Sequence, residues 1–220
     1  MALNPKRPEP LWAAPNISGP MSEEQYHELE RLSPDRKYEY INGRVYMMSG
    51  GTVGHDAITY NVRSSLRSQL RVRSASCNVF GENVQVLVGA KKSGKKHFLY
   101  PDATISCNPA DSRLENTLID EPKLVVEVLS PGTEAKDRGI KFRAYQRCPT
   151  IQEIVLINQF AQRVEVWQCS AEDAILWHYR QYGPGESVEF ASIDVCAEID
   201  RLYEGLDFNL TMQVLEDDEE

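Results

Sequence analysis

Lys123-Leu124-Val125-Val126-Glu127-Val128-Leu129 is a nearly continuous apolar run with one acid in its middle. Such a run is the pattern of a central β-strand covered on both faces. A lone ionised carboxylate in that place costs on the order of several kcal/mol unless a cation, hydrogen-bond donors or a raised pKa compensates it. The same difficulty arises in Phe98-Leu99-Tyr100-Pro101-Asp102-Ala103-Thr104-Ile105-Ser106, where strand alternation sets Tyr100, Asp102 and Thr104 on one face. Two acids on neighbouring strands can share one answer. A hard divalent cation is the economical one, because Mg²⁺ takes one or two protein carboxylates and completes its shell with water and phosphate oxygen. The other answer is that each acid pairs with an arginine or lysine, or caps backbone amides at a strand end.

The segment after Glu127 bears on that choice. Thr133 is placed to cap a helix that runs to about Arg147 and stops at Cys148-Pro149. On this helix Asp137, Lys141 and Tyr145 stand at i, i+4 and i+8, so all three share a face, and Lys141 can point at the acids. An ordinary Asp137–Lys141 surface pair, contributing about 0.3–0.5 kcal/mol, has the same spacing.

Upstream, Ser22-Glu23-Glu24-Gln25 has capping-box spacing and predicts a short helix through about Leu32. Lys37 to Ser49 reads as a hairpin, with Asn42-Gly43 supplying the positive-φ pair of a type I′ turn. From His55 to about Arg73, Ile58, Val62, Leu66 and Leu70 recur every four residues, the buried stripe of an amphipathic helix. Strand-like segments at Asn83–Val88, Phe98–Cys107 and Lys123–Leu129 predict a meander within one sheet. Further strands are expected near Glu153–Asn158 and Arg163–Gln168. Beyond Ala174 the chain looks β-rich, with a turn at Gly183-Pro184-Gly185 and a short helix after Asp194.

A chain of 220 residues suits one domain with a substantial core. Residues 1–20 carry five prolines and little apolar periodicity, and 211–220 end in an acidic run, so 21–210 is the expected domain between a flexible N-terminal segment and an acidic tail. No apolar stretch approaches the roughly 20 residues of a membrane span, and no signal-peptide layout opens the chain, which predicts a cytoplasmic protein. Cys77, Cys107, Cys148, Cys169 and Cys196 lie far apart without zinc-ligand spacing and are expected to be reduced core residues.

The formal net charge of −9 disfavours a protein that coats nucleic acid with its whole surface, so any such contact must be local. Two local candidates are visible. Arg63, Arg67 and Arg71 form a ridge beside the apolar stripe, and Lys91, Lys92, Lys95 and Lys96 form a loop; such features are more often solvated surface than a binding face.

In order along the chain, Tyr38-Glu39-Tyr40-Ile41-Asn42-Gly43, His55, Pro101-Asp102, Glu127-Val128-Leu129-Ser130-Pro131-Gly132-Thr133, Asp137, Lys141 and Tyr145 resemble the Uma-two family of "putative restriction endonucleases", within the PD-(D/E)xK nuclease superfamily. The resemblance implies an α/β, restriction-endonuclease-like fold, a mixed central sheet flanked by helices. It implies DNA as substrate and Mg²⁺, replaceable by Mn²⁺, as cofactor. By position, Asp102 and Glu127 are then the metal ligands and Glu39 an additional acid. Asp137 and Tyr145 match family positions, as does His55, either as a substrate or ligand contact or as a helix-terminal polar group. The superfamily's lysine two residues after the second acid is replaced here by Leu129, and the resemblance moves that role to Lys141 on the following helix. The expected protein is thus a Mg²⁺-dependent endonuclease with Asp102, Glu127, Lys141 and Glu39 at its centre, homodimeric if it cuts both strands. The alternative is a nuclease-fold module that binds nucleic acid or protein without cutting.

Overall fold

The computed structural model describes residues 19–48, 50–73, 76–89 and 95–208. The expected flexible segment up to residue 18, the acidic tail, and Lys91 and Lys92 lie outside the described residues.

Helix α1 (Glu23–Leu32) opens with the expected capping box, in which the Ser22 hydroxyl accepts from the Gln25 amide and the Gln25 side chain accepts from the Ser22 amide. The hairpin β1 (Tyr38–Ile41) and β2 (Arg44–Met47) turns on Asn42 and Gly43, with φ of 52° and 79°. Helix α2 (Val53–Val72) buries Ile58, Val62, Leu66 and Leu70, the stripe read from the sequence. Then come β3 (Asn78–Gly81), β4 (Gln85–Val88), β5 (His97–Leu99), β6 (Ala103–Ser106), β7 (Leu118–Ile119) and β8 (Pro122–Leu129).

A helical segment follows in three pieces without a break: α3 (Glu134–Lys136), a π-helical turn (Asp137–Lys141) and α4 (Phe142–Gln146). The remainder is β9 (Glu153–Asn158), β10 (Val164–Cys169), β11 (Trp177–Tyr182), β12 (Ser187–Phe190), β13 (Val195–Glu198) and α5 (Ile199–Leu202).

The strands form a six-stranded sheet ordered β11-β10-β9-β8-β6-β3, a five-stranded sheet ordered β2-β1-β5-β4-β7, and the β12-β13 hairpin. The large sheet is mixed, with β8 and β9 parallel and its other pairs antiparallel. On one face Leu124, Val126 and Val128 pack with the α2 stripe. On the other, Val125 and Leu129 pack with Ile41, Leu99 and, from the helical segment, Ala144 and Tyr145. Glu127, between Val125 and Leu129 in the alternation, therefore faces that helical segment.

Three expectations need correcting. The meander is split between sheets: β4 and β5 belong to the small sheet, β6 and β8 to the large one. The predicted strand Phe98–Cys107 breaks at Tyr100-Pro101-Asp102, because Pro101 has no N–H to give a ladder and suits a corner better than a strand interior. Nor are all the cysteines reduced core residues. Cys77 and Cys107 form a disulfide, Cys169 is half-buried and Cys196 exposed, leaving only Cys148 as a buried free thiol. The cause is β3, a strand the sequence pattern did not reveal. Its antiparallel register sets Asn78 opposite Ser106, and so Cys77 opposite Cys107.

Candidate active site

The corner at Pro101 positions the first acid. Ala103 pairs with Val126 across β6 and β8, so Asp102, one residue outward, stands opposite Glu127. The Val128 amide donates to Asp102 Oδ2 at 2.6 Å, and His55 Nε2 lies 3.3 Å from the same oxygen. His55 reaches this point from the first turn of α2, where Thr52 caps its amide. Its hydrogen bond to Asp102 raises the imidazole pKa above its ordinary value, against the opposing effect of burial.

Glu127 is 3 % exposed and Lys141 is 3 % exposed. Lys141 Nζ lies 2.6 Å from Glu127 Oε1, 3.0 Å from Glu39 Oε1 and 3.2 Å from Asp137 Oδ1. The Tyr145 hydroxyl donates to Glu127 Oε1. Glu39, on β1, engages both of its oxygens: Oε1 meets Lys141 and accepts from the Tyr100 amide, and Oε2 meets Lys136 Nζ at 2.7 Å.

Burial pushes the Glu127 carboxyl well above the usual carboxylate range, and Asp137, Asp102 and Glu39 push the same way while Lys141 opposes. Burial disfavours the Lys141 ammonium, but Glu127 and Glu39 outweigh it and keep Lys141 charged well above its ordinary range. Glu39 is also penalised by burial, yet Lys141 and Lys136 hold its carboxyl below the usual value. Lys141 and Glu39 thus settle as an ion pair. Burial prevails at Glu127, and the two lysines prevail at Glu39. Burial and Glu127 likewise raise the Tyr145 phenol.

Glu39, His55, Asp102, Glu127, Lys136, Asp137 and Lys141 line one pocket of about 150 Å³, and a wider groove of about 690 Å³ adjoins it along His55, Asp102 and the Gly50-Gly51 loop. The donor set suits a hard cation. The protein contacts of Asp102 fall on Oδ2 and those of Glu127 on Oε1, so among the described residues Oδ1 and Oε2 carry no donor. No three His, Cys, Asp or Glu side chains converge as a metal cluster among the described residues. Two carboxylates with the remaining positions left to water and phosphate oxygen fit Mg²⁺ or Mn²⁺ rather than a closed nitrogen and sulfur site.

The structure therefore brings Asp102, Glu127, Lys141, Glu39, Asp137, Tyr145 and His55 together. Leu129, two residues after Glu127, is 2 % exposed and part of the core. The basic candidates are not brought there. Arg63 pairs with Glu82, and Lys96 with Glu23. Arg67 and Arg71 border a separate depression, and Arg71 lies sixteen residues along α2 from His55, about 24 Å away. Lys95 is exposed beside Lys96. Sequence reasoning missed Lys136. On a regular helix it sits nine residues and about 180° from Tyr145, so only the extra residue of the π turn could have shown it facing the pocket.

Comparison with known proteins gives the family and the fold. The model of the Uma2 family, described as "Putative restriction endonuclease", matches residues 23–196. The uncharacterized protein slr1290 of Synechocystis sp. (strain ATCC 27184 / PCC 6803 / Kazusa) is 30% identical over 188 residues, covering 86% of this chain and 94% of its own. A second uncharacterized protein of that strain, sll1609, is 29% identical over 133 residues, 60% of this chain and 72% of its own. Among solved structures, a protein from Anabaena variabilis ATCC 29413 described as "a putative nuclease belonging to DUF820" aligns with a TM-score of 0.65 at 20% identity, covering 84% of this chain and 98% of its own, which establishes a shared fold. No helix among the described residues is long and apolar enough to cross a membrane. With four-fifths of its length inside the family match, the chain belongs to the Uma2 family and has a nuclease-like fold.

Proposed function

We propose that the protein is a Mg²⁺-dependent endodeoxyribonuclease that hydrolyses DNA phosphodiester bonds, with Asp102 and Glu127 as metal ligands. The observation that carries this reading is the cross-strand placement of Asp102 opposite Glu127, each presenting one oxygen without a protein donor into the same pocket. When bound, the ion supplies Lewis-acid polarisation of a phosphoryl oxygen and a water acidified enough to attack phosphorus.

The chain's own residues prepare that chemistry. The Val128 amide and His55 fix the Asp102 carboxylate, and Tyr145 with Lys141 fixes Glu127. Lys141 places a fixed positive charge beside the reacting centre, where it stabilises negative charge developing on phosphate. Glu39 and Asp137 hold Lys141 in place from the other side.

The test is calorimetric titration of Mg²⁺ into wild type and Asp102→Asn, with a plasmid-nicking assay alongside. Binding and nicking should disappear together in the variant. A wild type that neither binds the ion nor nicks plasmid refutes the reading and leaves the non-cutting binding module.

A further inference from the structure

The two lysines of the pocket are not equivalent. An ammonium group has three N–H donors, and three carboxylates, those of Glu127, Glu39 and Asp137, surround Lys141 Nζ within 3.2 Å. Its side chain is 4 % exposed, so little of it is open to an incoming ligand. Lys136 has one carboxylate partner, Glu39 Oε2 at 2.7 Å, and otherwise lies 5.8 Å over the ring of Tyr46. Its side chain is 22 % exposed and lines the same pocket as Asp102 and Glu127.

We propose that Lys136 is the residue that contacts the phosphate of the substrate strand, while Lys141 acts behind it as a fixed charge; the proposal rests on the nuclease reading above. The backbone explains how both lysines reach one pocket. The Phe142 amide bonds to the Asp137 carbonyl, five residues back, which widens the helix by about one residue. That extra residue turns Lys136 from about 180° to about 80° away from Tyr145 around the helix. Tyr145 and Lys141 can then meet Glu127 while Lys136 still faces the pocket. Glu39 serves as a common anchor, one oxygen for each lysine. A phosphate oxygen arriving at the mouth meets an ammonium already held in place, with N–H groups not committed to Glu39.

The competing role for Lys136 is structural, to neutralise buried Glu39. Two readouts separate them. The first is anisotropy of a fluorescein-labelled DNA duplex with Ca²⁺ replacing Mg²⁺, measured across a salt series for wild type, Lys136→Ala and Lys136→Arg. A lost phosphate contact reduces the slope of log K against log salt by about 0.9 and weakens binding about tenfold, and Lys136→Arg restores the slope. The second is plasmid nicking in Mg²⁺ by Glu39→Gln and Glu39→Gln/Lys136→Ala. The contact predicts a higher KM in the double variant than in Glu39→Gln alone.

An unchanged salt slope in Lys136→Ala, or a double variant identical to Glu39→Gln, overturns the proposal while wild-type nicking leaves the nuclease reading standing. Loss of the slope in a wild type that binds but never nicks overturns the nuclease reading and keeps Lys136 as a nucleic-acid contact. A wild type that neither binds duplex nor nicks overturns both.

Discussion

Replacing Lys141 by methionine keeps the length of the side chain and removes its charge from among Glu127, Glu39 and Asp137, which are 3 %, 1 % and 2 % exposed. Removing one partner of a buried ion pair destabilises by about 3–5 kcal/mol, because an uncompensated charge stays behind. For a chain of this length about 1 kcal/mol shifts Tm by about 2–4 °C, so the expected fall is about 6–20 °C near pH 8. The loss must depend on pH. In the wild type the Glu39 carboxyl is held below its ordinary range, so its pairing contributes stability that is present above the unfolded value of about 4.3 and disappears as pH falls through the folded value. Without Lys141, burial acts on Glu39 opposed by Lys136, and on Glu127 without its cationic partner. Protonation then favours the folded state, and the deficit shrinks towards pH 5. Urea melts followed by tryptophan fluorescence at pH 5 and pH 8 read both effects. Equal stability of variant and wild type at pH 8, or a deficit unchanged between the two values, refutes the assignment of Lys141 as the charge that holds the buried acids together.

Two further expectations follow from the elevated Glu127 carboxyl. Mg²⁺ should bind more tightly as pH rises, with release of a proton, because a carboxylate ligand must ionise to bind; calorimetry in buffers of different ionisation enthalpy counts that proton, and a heat independent of buffer speaks against it. Glu127→Gln should abolish nicking yet raise Tm in EDTA, because an amide fills the site without the burial penalty of a charge; a lower Tm in EDTA would mean that the hydrogen bonds and ion pair of Glu127 outweigh its burial.

Much of the architecture could be read from residue patterns that act locally. The Asn42-Gly43 turn, the α2 stripe and the apolar run of β8 each reflect a short-range rule, and each appears where the pattern put it. What escaped depends on distant pairing. β3 has a half-exposed, four-residue sequence without clear alternation, and its position beside β6 alone explains the Cys77–Cys107 disulfide. The corner at Pro101 had a legible cause in the missing N–H, but the apolar residues on either side suggested continuity. For the site, helical spacing correctly grouped Asp137, Lys141 and Tyr145. It gave no warning of the π turn, and so omitted Lys136. The arginine ridge shows the complementary weakness: a helical wheel gives the direction of a side chain and not its distance along the axis, and Arg71 is about 24 Å from His55 along α2.

The position of the lysine follows from the same packing. Leu129 shares the face of Glu127, but that face is closed there by Ile41 and Tyr145 from two other elements, and an ammonium at 129 would be buried among apolar groups. The helical segment across from Glu127 already approaches within hydrogen-bond distance, so a lysine from that side reaches the acid without disturbing the core. Moving the lysine to a helix also allows a second one, a turn earlier, to share the pocket. Even so, among the described residues lining the pocket, the four acids Glu39, Asp102, Glu127 and Asp137 stand against the two lysines Lys136 and Lys141, so two negative charges stay uncompensated by lysine if all four ionise. His55, its imidazole pKa raised by Asp102, offsets part of this when protonated. On the reading proposed above, a divalent cation held by Asp102 and Glu127 would supply that missing charge.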